Sequence, residues 1–198
     1  MKKDIILIGG GGQCHSSIDV IEAEGKYRIL GVLELPELMG SKIMDYEVIG
    51  TDDDITRFAE TVGNFLITVG QIKSHEKRKQ LFEIVKNAGG NLPVIISPYA
   101  YVSRSSEIGE GTIVMHHALI NANVKIGMNC IINSKALIEH DSVIGNHCHI
   151  STGSIINGEV IAGDGVFFGS GAVSVQGSVI PPGSFVRANS LYYRKPNG

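Results

Sequence analysis

The sequence of 198 residues contains no tryptophan and only three cysteines, and aromatic residues make up 6% of it. An odd number of cysteines in a chain of this size does not provide the disulfide framework of a small secreted domain. No apolar stretch approaches the ~20 residues that cross a bilayer, and the apolar segment that ends at Ile8 is too short for a signal peptide. We therefore expect a soluble, cytoplasmic protein without a membrane span.

The chain also lacks an excess of charge of either sign. The chain has 17 Lys and Arg residues against 20 Asp and Glu residues, which gives a formal net charge of −3. This near-balance excludes binding to nucleic acid through bulk charge. Glycine is abundant by contrast, since 25 of the 198 residues are glycine, nearly twice the average usage of ~7%. Many of these glycines are periodic, and their period indicates the fold.

The C-terminal half carries a six-residue repeat. Twelve successive hexads place an apolar residue in one register: Val102, Ile108, Val114, Ile120, Ile126, Ile132, Ile138, Ile144, Ile150, Ile156, Ala162 and Phe168. Two residues earlier in each hexad stands a small or β-branched residue. Glycine recurs with a period of eighteen at Gly109, Gly127, Gly145 and Gly163. Three hexads therefore make one structural turn.

This pattern predicts a triangular parallel β-helix in which residues eighteen apart stack ~4.8 Å above one another. The aliphatic side chains fill the prism, and we expect the periodic glycines to relieve corners that need a positive φ. About five coils should follow residue 100. Cys130 and Cys148 stack one coil apart, so a disulfide is conceivable, but two reduced thiols that serve as small apolar fillers are the preferred interpretation.

The N-terminal part has the pattern of a Rossmann-like α/β unit. Residues 3–8 form a strand, a run of four glycines follows, and residues 16–24 have helical spacing. The further predicted elements are a strand over 27–33, a helix over 53–61 capped by Asp52 or Asp53, a strand over 65–69, a helix over 76–87 and a last strand over 92–96. We place the domain boundary between 1–96 and 97–198.

The glycine loop is a candidate phosphate cradle. Its residues Gly11, Gly12 and Gln13 precede the helix, whose N-terminus favours an anion. Glu34 ends the next strand, where a ribose-binding carboxylate would sit. The alternative is a turn that serves chain geometry alone. NAD is disfavoured because fewer than 100 residues leave only half a Rossmann sheet.

Histidines in the repeat raise the question of a metal. In a zinc enzyme of the γ-carbonic anhydrase type, neighbouring coils and subunits supply three histidine ligands. Here His140 stacks between Ala122 and Gly158, and His149 stacks between Ile131 and Phe167, so the stacked positions next to either residue offer no second histidine. We therefore expect no metal.

His140 is instead a candidate general base. It follows the inward Ile138 by two residues and should point out of the prism, between Glu139 and Asp141, which could fix its tautomer. One coil later stands Gly158, whose missing side chain leaves room for a thioester and for a backbone N–H to reach the carbonyl oxygen. A surface histidine among acidic residues is the alternative.

Several segments together carry a family resemblance: residues 9–12, residues 49–52, residues 69–70, the hexads, and above all residues 133–145, NSKALIEHDSVIG. On them the chain resembles the PglD/NeuD-type sugar acetyltransferases of the left-handed β-helix superfamily. The resemblance implies left-handed coils, a homotrimer, acetyl-CoA in the groove between neighbouring β-helices, and a nucleotide-linked amino sugar on the N-terminal domain. It also implies N-acetylation of the sugar's 4-amino group, in a pathway of glycan biosynthesis.

The resemblance also implies roles for individual residues. His140 corresponds to the general base and Asp141 to the acid beside it. The positions that correspond to acetyl-CoA contacts are His149, Gly158, Ser170 and Ala188, and those for the sugar nucleotide are Gly11, Gly12, Gln13, Glu34 and Gly70.

Three departures from the family pattern stand out. Gln13 replaces the usual histidine, with His15 two residues later, and Asp141 replaces the usual glutamate. The closing Gly-x-Pro-Ala segment is missing after residues 192–196.

We expect the amine to attack the thioester directly, with His140 as the base and without an acyl-enzyme. Cys130 and Cys148 face inward in the predicted prism, and Cys14 belongs to the other domain. Two alternatives stay open. One is O-acetylation of a sugar hydroxyl, as in sialic acid, and the other is a non-catalytic trimeric scaffold whose glycine loop binds a nucleotide as a regulatory ligand.

Overall fold

A computed structural model of the chain describes residues 2–194 and shows an N-terminal α/β domain packed on a left-handed parallel β-helix. Both parts of the predicted fold are therefore confirmed. Among the helices of these residues, none has the length and hydrophobicity needed to cross a membrane. The prediction that concerns the chain end at residues 195–196 lies outside the described residues.

The N-terminal sheet has five strands in the order β3-β4-β2-β1-β5. They are β1 (Lys3–Ile8), β2 (Tyr27–Leu33), β3 (Lys42–Ile43), β4 (Tyr46–Gly50) and β5 (Phe65–Ile67). β1, β2, β4 and β5 are parallel, and β3 is antiparallel to β4. The first two strands have the predicted bounds. β3 and β4 were not predicted, because each carries charged residues and lacks the apolar run of a central strand.

Three helices flank this sheet: α1 (Gly12–Glu24), α2 (Ile55–Thr61) and α3 (Glu76–Asn87). α1 begins directly after Gly11, four residues earlier than predicted. The predicted cap by Asp52 or Asp53 is wrong. Thr51 and Asp54 instead form a reciprocal capping box at the 3₁₀ turn before α2, with the spacing that lets each side chain reach the other's backbone N–H.

The β-helix consists of two-residue strands. In chain order they are β6 (Ile95–Ile96), β7 (Tyr101–Val102), β8 (Glu107–Ile108), β9 (Ile113–Val114), β10 (Leu119–Ile120), β11 (Lys125–Ile126), β12 (Ile131–Ile132), β13 (Leu137–Ile138), β14 (Val143–Ile144), β15 (His149–Ile150), β16 (Ile155–Ile156), β17 (Ile161–Ala162), β18 (Phe167–Phe168), β19 (Val173–Ser174), β20 (Val179–Ile180), β21 (Phe185–Val186) and β22 (Leu191–Tyr192).

These strands form three sheets. The covered face holds β6, β9, β12, β15, β18 and β21 and carries the N-terminal domain; the apolar face holds β7, β10, β13, β16, β19 and β22; the third face holds β8, β11, β14, β17 and β20. Strands pair in parallel with residues eighteen apart, as in Ile120↔Ile138. The sixteen strands from β7 onward make just over five coils, and the predicted aliphatic register forms the core of the prism.

Two corners matter for the site. The His140 corner joins the apolar face to the third face and includes residues 139–142 and 157–160. The Ser170 corner joins the covered face to the apolar face and includes residues 133–136 and 169–172. The two corners therefore lie along opposite edges of the apolar face.

The expected role of the periodic glycines is wrong. Gly109, Gly127, Gly145 and Gly163 do not have a positive φ; a Cβ on any of them would lie within 2.8 Å of backbone or side-chain atoms of the next coil. They are required because neighbouring coils approach closely there. The left-handed backbone falls two residues later in each hexad, at positions that include His117, Asn123, Asn129, Lys135, Asp141, His147, Gly153 and Glu159.

The last predicted strand of the α/β domain belongs to the β-helix instead. Ile95–Ile96 pairs in parallel with Ile113–Val114 as the first rung of the covered face, while Asn91 bridges to Asn64 of the N-terminal domain. The predicted domain boundary after residue 96 stays a prediction. The strand β6 lies before that boundary in the sequence but pairs with a strand of the β-helix. Side chains of α1 and β1 pack against the covered face in one apolar cluster that includes Ile5, Leu7, Cys14, Ile18, Ile95, Ile113, Met115 and Ile131.

Candidate active site

His140 lies outside the prism at its corner, as the repeat register predicts. Its Nδ1 is 2.8 Å from Oδ2 of Asp141, and its side chain is 48% exposed. The ring lies against the bare backbone of Gly158, because a Cβ there would be 2.7 Å from both Cε1 and Nε2 of the imidazole. The stacking of residues eighteen apart thus leaves Nε2 over a surface without a side chain.

The electrostatics of this group suit a base. The hydrogen bond to Asp141 is the main cause that raises the pKa of His140, with smaller contributions from the charges of Asp141, Glu139 and Glu159. The same bond lowers the pKa of Asp141. Since a carboxylate only accepts, neutral His140 donates its Nδ1 proton to Asp141 and keeps the lone pair on Nε2. Proton acceptance at Nε2 is what a general base requires.

His149 is held differently. It is 6% exposed, donates from Nδ1 to the carbonyl oxygen of Gln71 at 2.6 Å, and accepts at Nε2 from Nδ2 of Asn133 at 3.0 Å. Burial lowers its pKa to about 4, so the ring is neutral at pH 7. In this arrangement both ring nitrogens are occupied, and Asn133, with a second N–H on Nδ2, is the group that can donate to a ligand.

Acid is expected to destabilise the protein through His149. Its pKa of about 4 in the folded state lies below the ordinary histidine value of about 6.5, so the unfolded chain binds the additional proton first as the pH falls. The free energy of unfolding should therefore decrease by about 3 kcal/mol between about pH 6.5 and about pH 4. Urea denaturation at a series of pH values measures this decrease.

The matched variant for that experiment is His149→Gln, which keeps a donor and an acceptor but does not titrate. Its free energy of unfolding should fall less steeply over the same range, and the difference in slope isolates His149 from the carboxylates. Equal slopes for the two proteins would rule out the assigned protonation state.

The two remaining predicted acetyl-CoA positions lie at the other corner. Ser170 and Ser151 share a hydrogen bond of 2.9 Å between their hydroxyl oxygens. Ala188 lies one coil further along, and its backbone N lies against Gly169. Because the Ser170 corner and the His140 corner are separated by the apolar face, one chain does not bring Ser170 and Ala188 together with His140.

The glycine loop is open at the start of α1. A Cβ on Gly11 or Gly12 would meet no atom within 4 Å, so space rather than close packing surrounds these residues. The Glu34 carboxylate accepts from the backbone N–H of Gly10 and from that of Leu35 at 3.1 Å. The structure thus brings Glu34 to the glycine loop. A pocket of about 190 Å³ adjoins it; Glu34, Thr51, Asp52, Asp53 and Lys77 are its polar lining residues, and the others, such as Leu33 and Leu81, are mostly apolar.

Gln13 and Gly70 are neighbours, since a Cβ on Gly70 would lie 3.7 Å from the Cβ of Gln13. The Gln13 side chain reaches Sδ of Met115 at 3.9 Å, whereas His15 is exposed. The end of the glycine loop therefore lies close to Met115, on the edge of the β-helix that also carries the Ser170 corner, and Gln71, the residue after Gly70, bonds to His149.

Asn133, Gln71 and Arg78 contact or support the candidate site, and sequence reasoning missed them. Arg78 is 1% exposed and donates to the carbonyl oxygens of Ile67 and Val69 and to Oδ1 of Asn129. It fixes the loop that begins at Val69 against the β-helix. Asn133 belongs to the motif of residues 133–145. Its bond to His149 could not be read from the eighteen-residue repeat, because the two residues are sixteen positions apart.

The cysteines are free and buried, which confirms the preferred interpretation of Cys130 and Cys148 as reduced thiols. Burial raises the pKa of the Cys14 thiol to about 11, so at pH 7 it is a poor nucleophile. Residues 2–194 contain no cluster of three or more His, Cys, Asp or Glu side chains that could hold a metal ion. The expectation of no metal stays a prediction.

Comparison with known proteins agrees with this architecture. Residues 4–85 match the family model of the PglD N-terminal domain, and residues 105–140 match that of the bacterial transferase hexapeptide, six repeats. The UDP-N-acetylbacillosamine N-acetyltransferase of Bacillus subtilis (strain 168) is 32% identical over 120 residues, which covers 57% of this chain and 51% of that protein. The chain thus spans about half the length of the curated relative that it matches.

Solved structures match over nearly the whole chain. The acetyltransferase domain of PglB from Neisseria gonorrhoeae FA1090 superimposes with a TM-score of 0.90 at 28% identity and covers 100% of this chain and 95% of that one; its acetyl coenzyme A complex gives 0.87 at 28% identity over 96% and 90%. PerB from Caulobacter crescentus, in complex with CoA and GDP-perosamine, gives 0.73 at 25% identity over 95% and 92%. A segment that matches the PglD N-terminal domain is thus joined to a hexapeptide-repeat β-helix, and in this combination the chain is similar to the PglD-type acetyltransferases.

Proposed function

We propose that the protein is an acetyl-CoA-dependent N-acetyltransferase that acts on the 4-amino group of a nucleotide-linked amino-deoxy sugar. The observation that carries this proposal is the position of His140, whose Nδ1 is bonded to Asp141 while its Nε2 lies over the bare backbone of Gly158. The acetyl coenzyme A and GDP-perosamine complexes of the structural relatives support the same class of reaction.

In the proposed reaction the neutral sugar amine attacks the thioester carbonyl carbon, and Nε2 of His140 takes the proton that the nitrogen loses. The C–N bond forms, the C–S bond breaks, and the departing sulfur receives a proton from His140 to give the free thiol of CoA. Asp141 stabilises the imidazolium during this exchange. No cysteine takes part, because the thiols are buried.

The apolar face supports a homotrimer. Its outward side chains form a continuous hydrophobic stripe: Tyr101, Leu119, Leu137, Ile155, Val173 and Leu191. Tyr101 is 60% exposed and Leu191 is 71% exposed, and such a stripe is typical of a protein interface. We propose that neighbouring copies cover it, so that the His140 corner of one copy meets the Ser170 corner of the next. The groove between them would then hold acetyl-CoA along Gly158, His149, Ser170 and Ala188.

The N-terminal domain is the proposed holder of the sugar nucleotide. The diphosphate would lie at Gly11, Gly12 and Gln13, where the start of α1 favours negative charge, and Glu34 and Gly70 border the same region. The pocket beside Glu34 has room for part of the nucleotide. A cytoplasmic location fits a reaction that uses acetyl-CoA and stays a prediction.

The decisive experiment measures thiol release from acetyl-CoA with a panel of nucleotide-linked 4-amino sugars and sialic acids, and identifies the product by mass spectrometry. We expect release only with 4-amino sugars and a product with one added acetyl group on nitrogen. Acetylation of a hydroxyl would establish the O-acetyltransferase alternative. Nucleotide binding without thiol release from any acceptor would establish the scaffold.

A further inference from the structure

The His140 corner contains a column of stacked residues, one from each coil: Ser105, Asn123, Asp141, Glu159 and Gly177. Asn123 and Asp141 both have a φ of 60°. Asparagine and aspartate tolerate this left-handed conformation better than most other residues. Because the two backbones have the same conformation one coil apart, their short side chains leave the corner in parallel and meet.

A chain of hydrogen bonds runs up this column to His140. The backbone N of Asn123 donates to Oγ of Ser105 at 3.1 Å, and Nδ2 of Asn123 donates to Oδ1 of Asp141 at 3.2 Å. The other oxygen, Oδ2, accepts from Nδ1 of His140 at 2.8 Å. Each oxygen of the Asp141 carboxylate therefore has its own partner, which fixes the plane of the carboxylate as well as its position.

We propose that Asn123 is a positioning residue for the reaction, which holds the Asp141 carboxylate in the plane that orients the His140 imidazole over Gly158. The inference rests on the proposed function, in which His140 is the base. A carboxylate with a single bonded oxygen can turn about its Cα–Cβ and Cβ–Cγ bonds, and the Asp141 side chain, which is 51% exposed, is only partly restrained by packing. A second hydrogen bond from Asn123 removes that freedom.

This pairing also explains how an aspartate serves where the family pattern has glutamate. Aspartate is one methylene shorter, so it depends more on support from its own column. The other charged groups that face His140 are Glu139 and Glu159. Glu139 accepts from Nδ2 of Asn121 at 2.7 Å and so has a different partner, which leaves Asn123 to act on Asp141.

The test compares Asn123→Gly with the unaltered protein, because glycine adopts a positive φ without strain and only the side chain is lost. We expect kcat to fall about threefold to tenfold, the size of one lost hydrogen bond, with KM for acetyl-CoA unchanged. In the background of Asp141→Asn, the same change should have no further effect. Lys125→Ala is the control, since Lys125 is an exposed residue of β11 on the third face, two residues after Asn123, and makes no bond to Asp141; it should keep normal kcat.

A second measurement does not depend on turnover. NMR titration of the His140 ring should give a lower pKa in Asn123→Gly than in the unaltered protein, because a freely turning Asp141 supports the imidazolium less. An unchanged pKa and an unchanged kcat would overturn the role of Asn123. An equal loss of kcat in the Asp141→Asn background would also overturn it, since the effect would then not pass through Asp141. A lowered pKa in a protein without acetyl transfer would refute the proposed function but not the positioning.

Discussion

His140→Ala is expected to lower kcat by ~100-fold to ~10,000-fold, because the amine loses the group that removes its proton during attack on the thioester. The side chain is half-exposed, and within residues 2–194 its one hydrogen bond is to Asp141, so the substitution leaves the fold intact. Steady-state thiol release measures kcat, and circular dichroism with thermal melting verifies the fold.

Two comparisons make this result specific. Lys125→Ala removes an exposed side chain from the third face of the same β-helix and should turn over normally. The activity of the unaltered protein should fall as the pH drops through the raised pKa of His140, because the protonated ring cannot accept a proton, whereas the residual activity of His140→Ala should lack this limb. Normal turnover by His140→Ala would mean that another group is the base.

Gly145→Val is expected to have the largest effect on stability, with a loss of about 3 kcal/mol or more. A Cβ at this position would lie 2.7 Å from the backbone N of Asp164 and 2.7 Å from the backbone C of Gly163. Asp164 cannot easily move away, because its Oδ1 accepts from the backbone N of Asn146 at 2.7 Å. The coils would have to separate, which breaks the ladder between them. Urea denaturation followed by circular dichroism measures the loss.

Gly153→Asn is the control for a glycine that is not crowded. Gly153 has a φ of 63°, nothing lies within 4 Å of the place where its Cβ would be, and Asn123 and Asn129 occupy equivalent corners with the same conformation. Its free energy of unfolding should stay within about 1 kcal/mol of the unaltered value. If Gly145→Val were as mild as this control, close approach of the coils would not be the reason for glycine there.

The architecture could be predicted because a short repeat in the sequence specifies each strand of the β-helix and its pairing. Each hexad specifies its own rung, so the register that contains Ile120 and Ile138 gives the pairing of both residues without knowledge of the rest of the chain. The same arithmetic places Gly158 against His140, eighteen residues away. The reason for the periodic glycines was inferred wrongly, because period alone does not distinguish a positive φ from a crowded Cβ.

Contacts between the two domains could not be predicted in this way. The bond from His149 to Gln71 joins residues 78 positions apart, and no repeat relates them. Arg78 lies in a helix whose charged residues indicate a solvated face, yet its guanidinium is buried against carbonyl oxygens. The roles assigned to Ser170 and Ala188 stay predictions, since within one chain they lie across the apolar face from His140.

The seating of α1 on the covered face limits how this protein can diversify. Ile18 of α1 packs in the same cluster as Ile113 and Ile131 of the β-helix. A different domain joined to the hexads would therefore expose these apolar side chains to water, unless it carried a complementary apolar surface. Exchange of the whole N-terminal domain between related proteins thus requires that both partners keep this apolar contact. Substitutions in the exposed segment of residues 35–41, which borders the pocket beside Glu34, can change that surface without altering the packing of α1 on the β-helix.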